Sequence, residues 1–171
     1  MLYILKYSTR TMIYKNLEEL SLEIYKLKKQ GKTIVWTNGC FDILHPWHVA
    51  TFRKAKEYWD ILIVWLNGDK SPYRKTKPWR PINNEEFRSE MLQAIRFVDF
   101  VYVYNEETPI SPIATLLPDV LIKWGDYKAE EVVGYKEVIN NWWKVIIIPT
   151  VEWHSTTNIV NKMKNVGQKQ K

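Results

Sequence analysis

The sequence predicts a single α/β domain built on a doubly wound parallel sheet of about five strands. Short apolar runs without polar interruption, typical of strands buried on both faces, alternate with segments whose apolar residues recur at helical spacing. The length of 171 residues suits one domain with a full core. Strands that alternate with helices favour right-handed βαβ crossovers and a parallel sheet.

The first half of the chain supplies two helices and two strands. An amphipathic helix is predicted over 16–29, with Gly31 as its C-terminal stop. The apolar runs at 33–37 and 60–66 predict buried strands, and apolar residues at helical spacing predict a helix over 48–58 between them. Residues 1–13, which precede these elements, are interpreted either as an extra strand or as a loose arm.

The second half continues the alternation. Asn83 or Asn84 is expected to cap a helix that runs to about Arg96, and Ser155 to cap the last helix, which runs through Lys164. Gly134 weakens one of the intervening helices. The remaining elements are strands at 100–104, 120–123 and 145–148 and helices at 109–117 and 129–140. We therefore divide the chain into an N-terminal arm and helix at 1–30, a main domain at 31–164 and a basic tail at 165–171.

Composition narrows the class of protein. Cys40 is the only cysteine, which excludes an internal disulfide framework and favours a reducing cytoplasm. No apolar run approaches the roughly 20 residues that a membrane span needs, so a membrane partner is not expected. The net charge of +6 is assigned to a solvated helix face, a basic tail and one polar loop, and no nucleic-acid partner is expected.

The most informative stretch joins a strand to a helix and reads Thr37-Asn-Gly-Cys-Phe-Asp-Ile-Leu-His-Pro-Trp-His48. It places His45 and His48, three residues apart, at the start of the helix. The unpaired amides and the dipole of a helix N-terminus favour an anion there. The pattern therefore predicts phosphate chemistry.

Three further polar segments follow predicted strands. They are the long loop at 67–83, the residues around 123–126 and the residues at 154–157. Ligands of doubly wound sheets bind beyond the carboxyl ends of the strands, at the switch point of strand order. All four segments are thus expected to converge at one edge of the sheet.

These segments resemble a known family. The stretch ending at His48 is similar to the HxGH signature of the cytidylyltransferase-like nucleotidyltransferases, whose domains are Rossmann-like, in the wording TNGCFDxLHxGH typical of D-glycero-β-D-manno-heptose 1-phosphate adenylyltransferases. The resemblance covers roughly residues 30–164, so the main domain at 31–164 is interpreted as a nucleotidyltransferase domain. It continues, in family order, through Leu66-Asn-Gly-Asp-Lys-Ser71, Arg80-Pro-Ile-Asn83, Arg88, Leu121-Ile-Lys-Trp-Gly-Asp-Tyr127 and Ser155-Thr-Thr-Asn158.

The resemblance implies an enzyme that transfers AMP from ATP to a sugar 1-phosphate, with Mg²⁺ carried by the nucleotide and no metal ligand from the protein. Glycerol-3-phosphate cytidylyltransferase, with CTP and a polyol phosphate, is the close alternative, and a homodimer is compatible with the family. Any sugar kinase is expected on a separate chain. The implied catalytic residues are His45, His48, Lys77 and Arg88. The implied nucleotide or phosphate contacts are Asn38, Gly39, Cys40, Phe41, Asp42, Trp47, Lys75, Arg80, Gly125, Asp126, Ser155, Thr156 and Thr157, and the acceptor contacts are Asn67 and Asp69.

Two of these assignments have alternatives in the residues themselves. Asp42 could orient a histidine or hydrate a metal, or it could cap a turn. The family usually has Leu-Lys-Gly where this chain has Lys75-Thr-Lys77, so either lysine could be the one that meets phosphate.

At many positions where the family pattern has glycine, this chain has tryptophan. The chain has nine tryptophans and six glycines, whereas about 7% glycine is usual. An indole cannot supply the close backbone approach of glycine, and Trp47, between the two histidines, would fill space where phosphate is expected. Eight tryptophans stand where the family has glycine, while Trp36 is ambiguous; the eight are Trp47, Trp59, Trp65, Trp79, Trp124, Trp142, Trp143 and Trp153.

We interpret this substitution as UGA codons that mean glycine in the source and were translated as tryptophan. The alternatives are a degenerate homologue that keeps the fold as a non-catalytic nucleotide-binding module, and deliberate engineering. The first interpretation predicts that the tryptophan chain is inactive and poorly folded. It also predicts UGA at the eight positions, which sequencing of the coding DNA measures directly, and UGG codons there would contradict it.

Overall fold

The computed structural model describes residues 12–72, 80–125, 128–140, 144–148, and six residues near the C-terminus: 156, 159, 160, 162, 163 and 165. The six strands of the described chain are β1 Met12–Tyr14, β2 Ile34–Gly39, β3 Ile61–Asn67, β4 Phe100–Tyr104, β5 Val120–Trp124 and β6 Lys144–Ile148. Its α-helices are α1 Leu17–Lys29, α2 Pro46–Tyr58, α3 Glu85–Gln93, α4 Ile110–Leu116 and α5 Tyr135–Asn140, and a 3₁₀ turn spans Ala129–Glu131.

The six strands form one parallel sheet in the order β1-β4-β3-β2-β5-β6. From β2 the chain steps outward through β3 to β4, and then returns to pair β5 with the other side of β2. The switch point therefore lies between the carboxyl ends of β2 and β5. This architecture confirms the predicted Rossmann-like doubly wound sheet, and β1 adds a short edge strand beside β4 to the five that were predicted.

Each face of the sheet carries its own apolar cluster, because successive strand residues point to opposite faces. One cluster packs Trp36, Trp65 and Tyr102 with residues of α1, α4 and α5. The other packs Val64 and Phe52 with residues of α2 and α3. Fully buried apolar residues on both faces explain why the strand sequences read as unbroken apolar runs.

The helix boundaries follow local chemistry. Asn16 caps α1 by accepting hydrogen bonds from the amides of Glu18 and Glu19, and Gly31 follows its end in the left-handed conformation, as predicted (φ 75°). Asn84, one of the two predicted caps, accepts from the amide of Phe87 at the start of α3.

Four boundaries differ from the predictions by two residues or more. Helix α2 begins at Pro46 and not at residue 48, because proline suits the first helical position. Strand β2 extends through Gly39, since pairing with β3 continues to Leu66, so Asn38 and Gly39 are strand residues. Helix α3 ends at Gln93 because the chain turns to bury Phe97 and Val98. The helix predicted over 129–140 is a 3₁₀ turn followed by α5, with Gly134 between them in the left-handed conformation (φ 89°).

The last predicted helix lies partly outside the described residues, but the six described residues from 156 to 165 are all helical. None of the helices in the described chain is long and apolar enough to cross a membrane.

Candidate functional site

The two histidines occupy the first turn of α2, at the switch point. His45 is the N-cap residue, and Pro46 follows at the first helical position, where its missing N–H leaves no bond unmade. The backbone N–H of His45 donates to Nδ1 of His48 at 3.3 Å, and the two rings lie 3.9 Å apart between centroids. Both residues are largely buried. The predicted placement of the pair is therefore confirmed.

This geometry fixes the protonation of His48. Burial, followed by the neighbouring charge of His45, lowers the pKa of His48 to about 3, so its ring is neutral at pH 7. Because Nδ1 accepts a hydrogen bond, the single ring proton resides on Nε2. His48 is thus a neutral hydrogen-bond donor at the positive end of the α2 helix dipole.

Asp42 holds the neighbouring loop closed. Its carboxylate accepts hydrogen bonds from the backbone amides of Ile82 and Asn83, each at 2.9 Å, and lies 3.4 Å from Nε of Arg80. The Asn83 side chain in turn donates to the Asp42 carbonyl at 3.0 Å. Of the roles considered for Asp42, the structure shows that of a loop-closing cap.

Arg88 joins the ends of three segments. It is almost fully buried, and its guanidinium donates to the carbonyls of Asn83, Cys40 and Asn67 at 2.9, 2.8 and 2.7 Å. It also contacts the Asp69 carboxylate at 2.7 Å. The planar guanidinium suits several acceptors at fixed angles. Arg88 therefore ties the ends of β2 and β3 to the segment that enters α3.

Asp69 also serves the start of α3. Its second oxygen accepts from the amide of Glu85 at 3.0 Å, and the Glu85 carboxylate accepts from the amide of Asp69 at 2.7 Å. The side chain of Asn67, two residues earlier, is not engaged in the same way. Its side-chain oxygen is buried and has no hydrogen-bond partner, so it remains an acceptor that a ligand could use.

The end of β5 completes the edge. Gly125 has φ of 134°, a conformation that side chains rarely adopt, and its amide donates to the carbonyl of Ile148 at 3.2 Å. The Thr156 hydroxyl donates to the carbonyl of Ile43 at 3.4 Å, which brings the last helix against the loop after β2. Segments from four parts of the chain thus meet at one edge, as predicted.

Two tryptophans lie beside the histidines. The Trp124 ring lies 5.4 Å from that of Phe41 and 5.7 Å from that of His48, and a β-carbon on Gly39 would come within 3.2 Å of the Trp124 ring. Trp47 instead lines a mostly apolar cavity of about 510 Å³ between α2 and β6. The indole that crowds the switch point from the sheet side is therefore Trp124.

None of the five described tryptophans has a positive φ, so left-handed backbone is not what glycine would supply at these positions. Three of these tryptophans instead reduce the stability of the fold through unpaired hydrogen-bond donors. The indole N–H groups of Trp36, Trp47 and Trp65 are buried without hydrogen-bond partners, and a buried unpaired donor costs about 1–3 kcal/mol.

Several predicted residues lie outside the described residues, namely Lys75, Lys77, Asp126, Ser155, Thr157, Trp79, Trp142, Trp143 and Trp153. Sequence reasoning missed two residues that contribute to the site. Glu85 makes the reciprocal contact with Asp69, and the Tyr104 hydroxyl accepts from the Asn38 amide at 3.3 Å. The acidic first turn of α3 was a signal for Glu85, whereas Tyr104 reads only as a strand residue.

The pattern of the cytidylyltransferase-like family matches residues 36–162. The chain belongs to this family. It is 44% identical over 142 residues to a "Bifunctional protein HldE" of Campylobacter fetus subsp. fetus, covering 83% of this chain and 30% of the relative. A "Bifunctional protein HldE" of Escherichia coli O157:H7 is also 44% identical, over 146 residues, which cover 85% of this chain and 31% of the relative. The chain thus spans about a third of the length of these relatives.

Solved structures support the fold. The lipopolysaccharide core biosynthesis protein of Thermoplasma volcanium is similar with a TM-score of 0.58 and 24% identity, covering 72% of this chain and all of that one. The pantoate-beta-alanine ligase of Francisella tularensis has the same TM-score at 17% identity, covering 90% of this chain and 77% of the ligase. Membership of the cytidylyltransferase-like family confirms the predicted nucleotidyltransferase class.

The Arg88 contacts predict a large loss of stability on Arg88→Lys. A lysine ammonium is not planar and cannot satisfy the same four acceptors, so a buried charge would be left poorly paired, at a cost of about 3 kcal/mol or more. Urea unfolding measures this loss. Arg53→Lys is the matched control, because Arg53 is exposed on α2 and should change stability by no more than about 0.5 kcal/mol. Equal small effects of the two substitutions would contradict the role given to Arg88.

The lowered pKa of His48 predicts a pH-dependent stability. Between about pH 6.5 and pH 3 the unfolded chain binds a proton on residue 48 that the folded chain does not, so stability falls as pH falls through this window. In His48→Asn this contribution is absent, and the melting temperature should decline less between pH 7.5 and pH 4.5 than in the parent chain. An equal decline in both proteins would show that His48 is not buried as a neutral ring.

Proposed function

We propose that this domain transfers AMP from ATP to a sugar 1-phosphate and releases pyrophosphate, with D-glycero-β-D-manno-heptose 1-phosphate as the favoured acceptor. The single observation that carries the proposal is the buried His45–His48 pair at the start of α2. The pair lies in a motif whose wording is typical of the heptose 1-phosphate adenylyltransferases. The relatives named HldE support the same branch. Cytoplasmic location and a homodimer complete the proposal.

The reaction is an in-line displacement at the α-phosphorus. An oxygen of the acceptor phosphate forms the new bond, the bond from the α-phosphorus to its leaving oxygen breaks, and the electron pair departs with pyrophosphate. Catalysis of this kind depends on positioning and on groups that stabilise developing charge. His48 would donate its Nε2 proton in a hydrogen bond to a phosphate oxygen, while the positive end of the α2 helix dipole favours the same anion.

No residue of the protein need act as a covalent nucleophile. Burial raises the pKa of the Cys40 thiol, so the thiolate that attack would require is disfavoured. The Cys40 carbonyl is held by Arg88. We therefore assign Cys40 to the shape of the turn and Arg88 to the positioning of the site.

Mg²⁺ would enter with the nucleotide and neutralise charge on the triphosphate. The two nearby carboxylates, Asp42 and Asp69, are already engaged by backbone amides and arginines. The ion would therefore be held mainly by phosphate oxygens, which is usual for Mg²⁺ in nucleotide enzymes. Arg80, with Lys75 and Lys77 of the loop that precedes it, would face the leaving pyrophosphate, and Asp126, Ser155 and Thr157 would contact the nucleotide.

A non-catalytic nucleotide-binding role is the second candidate, and one observation favours it. Trp124, the last residue of β5, lies beside the ring of His48 and close to Gly39. If this indole belongs to the natural protein, it occupies space at the switch point that a phosphate would need. The purified chain would then bind ATP without turnover.

Pyrophosphate release distinguishes these functions. ATP and CTP are each tested with heptose 1-phosphate and with glycerol 3-phosphate. In the version of the chain with glycine at residues 47, 79, 124 and 153, we expect turnover only with ATP and heptose 1-phosphate, because the motif wording is typical of the heptose 1-phosphate adenylyltransferases. Turnover with CTP and glycerol 3-phosphate alone would establish the cytidylyltransferase instead.

Glycine at Trp47, Trp79, Trp124 and Trp153 is predicted to raise activity strongly. Removing these indoles lets backbone and ligand approach, and displacement of reacting groups by about 1 Å can cost about a hundredfold in rate. The parent chain should be nearly inactive in the pyrophosphate assay, and the variant with all four glycines should be active.

Two further variants control this experiment. Trp59→Gly is the matched control, because Trp59 is the C-cap of α2, at the opposite end of the helix from the histidines, so activity should stay low. In the active variant, His48→Ala should abolish turnover while circular dichroism stays unchanged. Robust turnover by the tryptophan chain itself would contradict both the recoding interpretation and the placing of the site.

A further inference from the structure

Lys123 is a lysine at the carboxyl end of β5 that the roles described so far do not use. In the described chain its ammonium makes no hydrogen bond or ion pair, and neighbouring protein desolvates it, which lowers its pKa to about 8. At pH 7 it still carries most of its charge. A desolvated cation without an anionic partner is unfavourable for the fold, so this position calls for an explanation by function.

The sheet register places Lys123 beside polar groups. Leu121 pairs with Trp36, and two residues further along each strand Lys123 and Asn38 reach the same face. The Asn38 amide donates to the Tyr104 hydroxyl, and the buried, unpartnered oxygen of Asn67 lies at the end of β3. A row of groups suited to hydroxyls and a phosphate thus crosses the edge of the sheet from β5 to β4.

This row lies on the opposite face from the histidines. His48 contacts Trp124, whose neighbours are in the cluster packed under α2, whereas Asn38 and Lys123 alternate onto the face that carries α1 and α5. An in-line displacement needs nucleophile and leaving group on opposite sides of the α-phosphorus. A nucleotide held at α2 leaves the other side of the edge for the acceptor.

We propose that Lys123 binds the phosphate of the acceptor sugar and holds it for attack, with Asn38 and Asn67 bonding the sugar hydroxyls. This assignment deepens the proposed function and rests on it for the identity of the acceptor. The ammonium offsets the repulsion between two phosphate anions that must approach each other. Lys123 is thereby a specificity-determining residue for a phosphorylated acceptor.

Lys123→Met tests the assignment, since methionine keeps the length of the side chain and removes the charge. The KM for heptose 1-phosphate should rise about 10- to 100-fold, the range for one lost hydrogen bond to a charged group, while the KM for ATP stays within about twofold. Lys123→Arg, which restores the charge, should recover part of the loss. The turnover measurements use the version of the chain with glycine at residues 47, 79, 124 and 153.

A binding measurement separates this proposal from the proposed function. These measurements also use the version with glycine at residues 47, 79, 124 and 153. Inorganic phosphate and heptose 1-phosphate should each raise its melting temperature more than that of the same chain carrying Lys123→Met, and MgATP should raise both equally. Without ligand, Lys123→Met should melt no lower than the same chain with Lys123. A phosphate-dependent shift without turnover would support the Lys123 site while refuting the acceptor. An unchanged acceptor KM in Lys123→Met, or no phosphate-dependent difference between the two chains, would overturn the proposal.

Discussion

The arrangement of the site depends on the buried guanidinium of Arg88. It joins the carbonyls that end β2 and β3 and the carbonyl just before α3, and it pairs with Asp69. A group that satisfies acceptors from three separate segments fixes their relative positions, because each would otherwise present an unpaired buried carbonyl. The loop that leads to the histidines begins at Cys40, whose carbonyl Arg88 holds. The contact between Arg88 and Cys40 therefore helps to fix the position of the first turn of α2.

The first turn of α2 holds His48 in a fixed orientation and charge state. Nδ1 of His48 is engaged by the backbone of the N-cap residue, and burial keeps the ring neutral. The neutral ring can therefore donate a hydrogen bond from Nε2 without first binding a proton. The N-terminal end of the α2 helix dipole adds a second, fixed source of positive potential. A preorganised environment of this type stabilises charge that develops during reaction with little rearrangement.

Patterns along the chain predicted the sheet, the switch point and the histidine pair, because these depend on local spacing. They could not predict partners that are distant in sequence. Asp42 looked equally suited to a histidine, a metal or a turn until the structure placed it against amides 40 and 41 residues away. The resemblance implied a catalytic role for Arg88, but periodicity gives only its face on the helix and not the carbonyls and carboxylate that it contacts. The same limit hid Lys123, which alternates normally in its strand and is unusual only through the absence of an anion near it in the described chain.

The state of the His48 ring is the central claim, and nitrogen-15 NMR of the histidine side chains tests it most directly. Long-range proton–nitrogen correlation spectra, recorded from pH 7.5 to pH 4.5, report the tautomer and the charge of each ring. We predict that His48, assigned by its loss in His48→Asn, shows the neutral form with the proton on Nε2 throughout this range. A ring that titrates near pH 6.5, or one that carries its proton on Nδ1, would contradict the account.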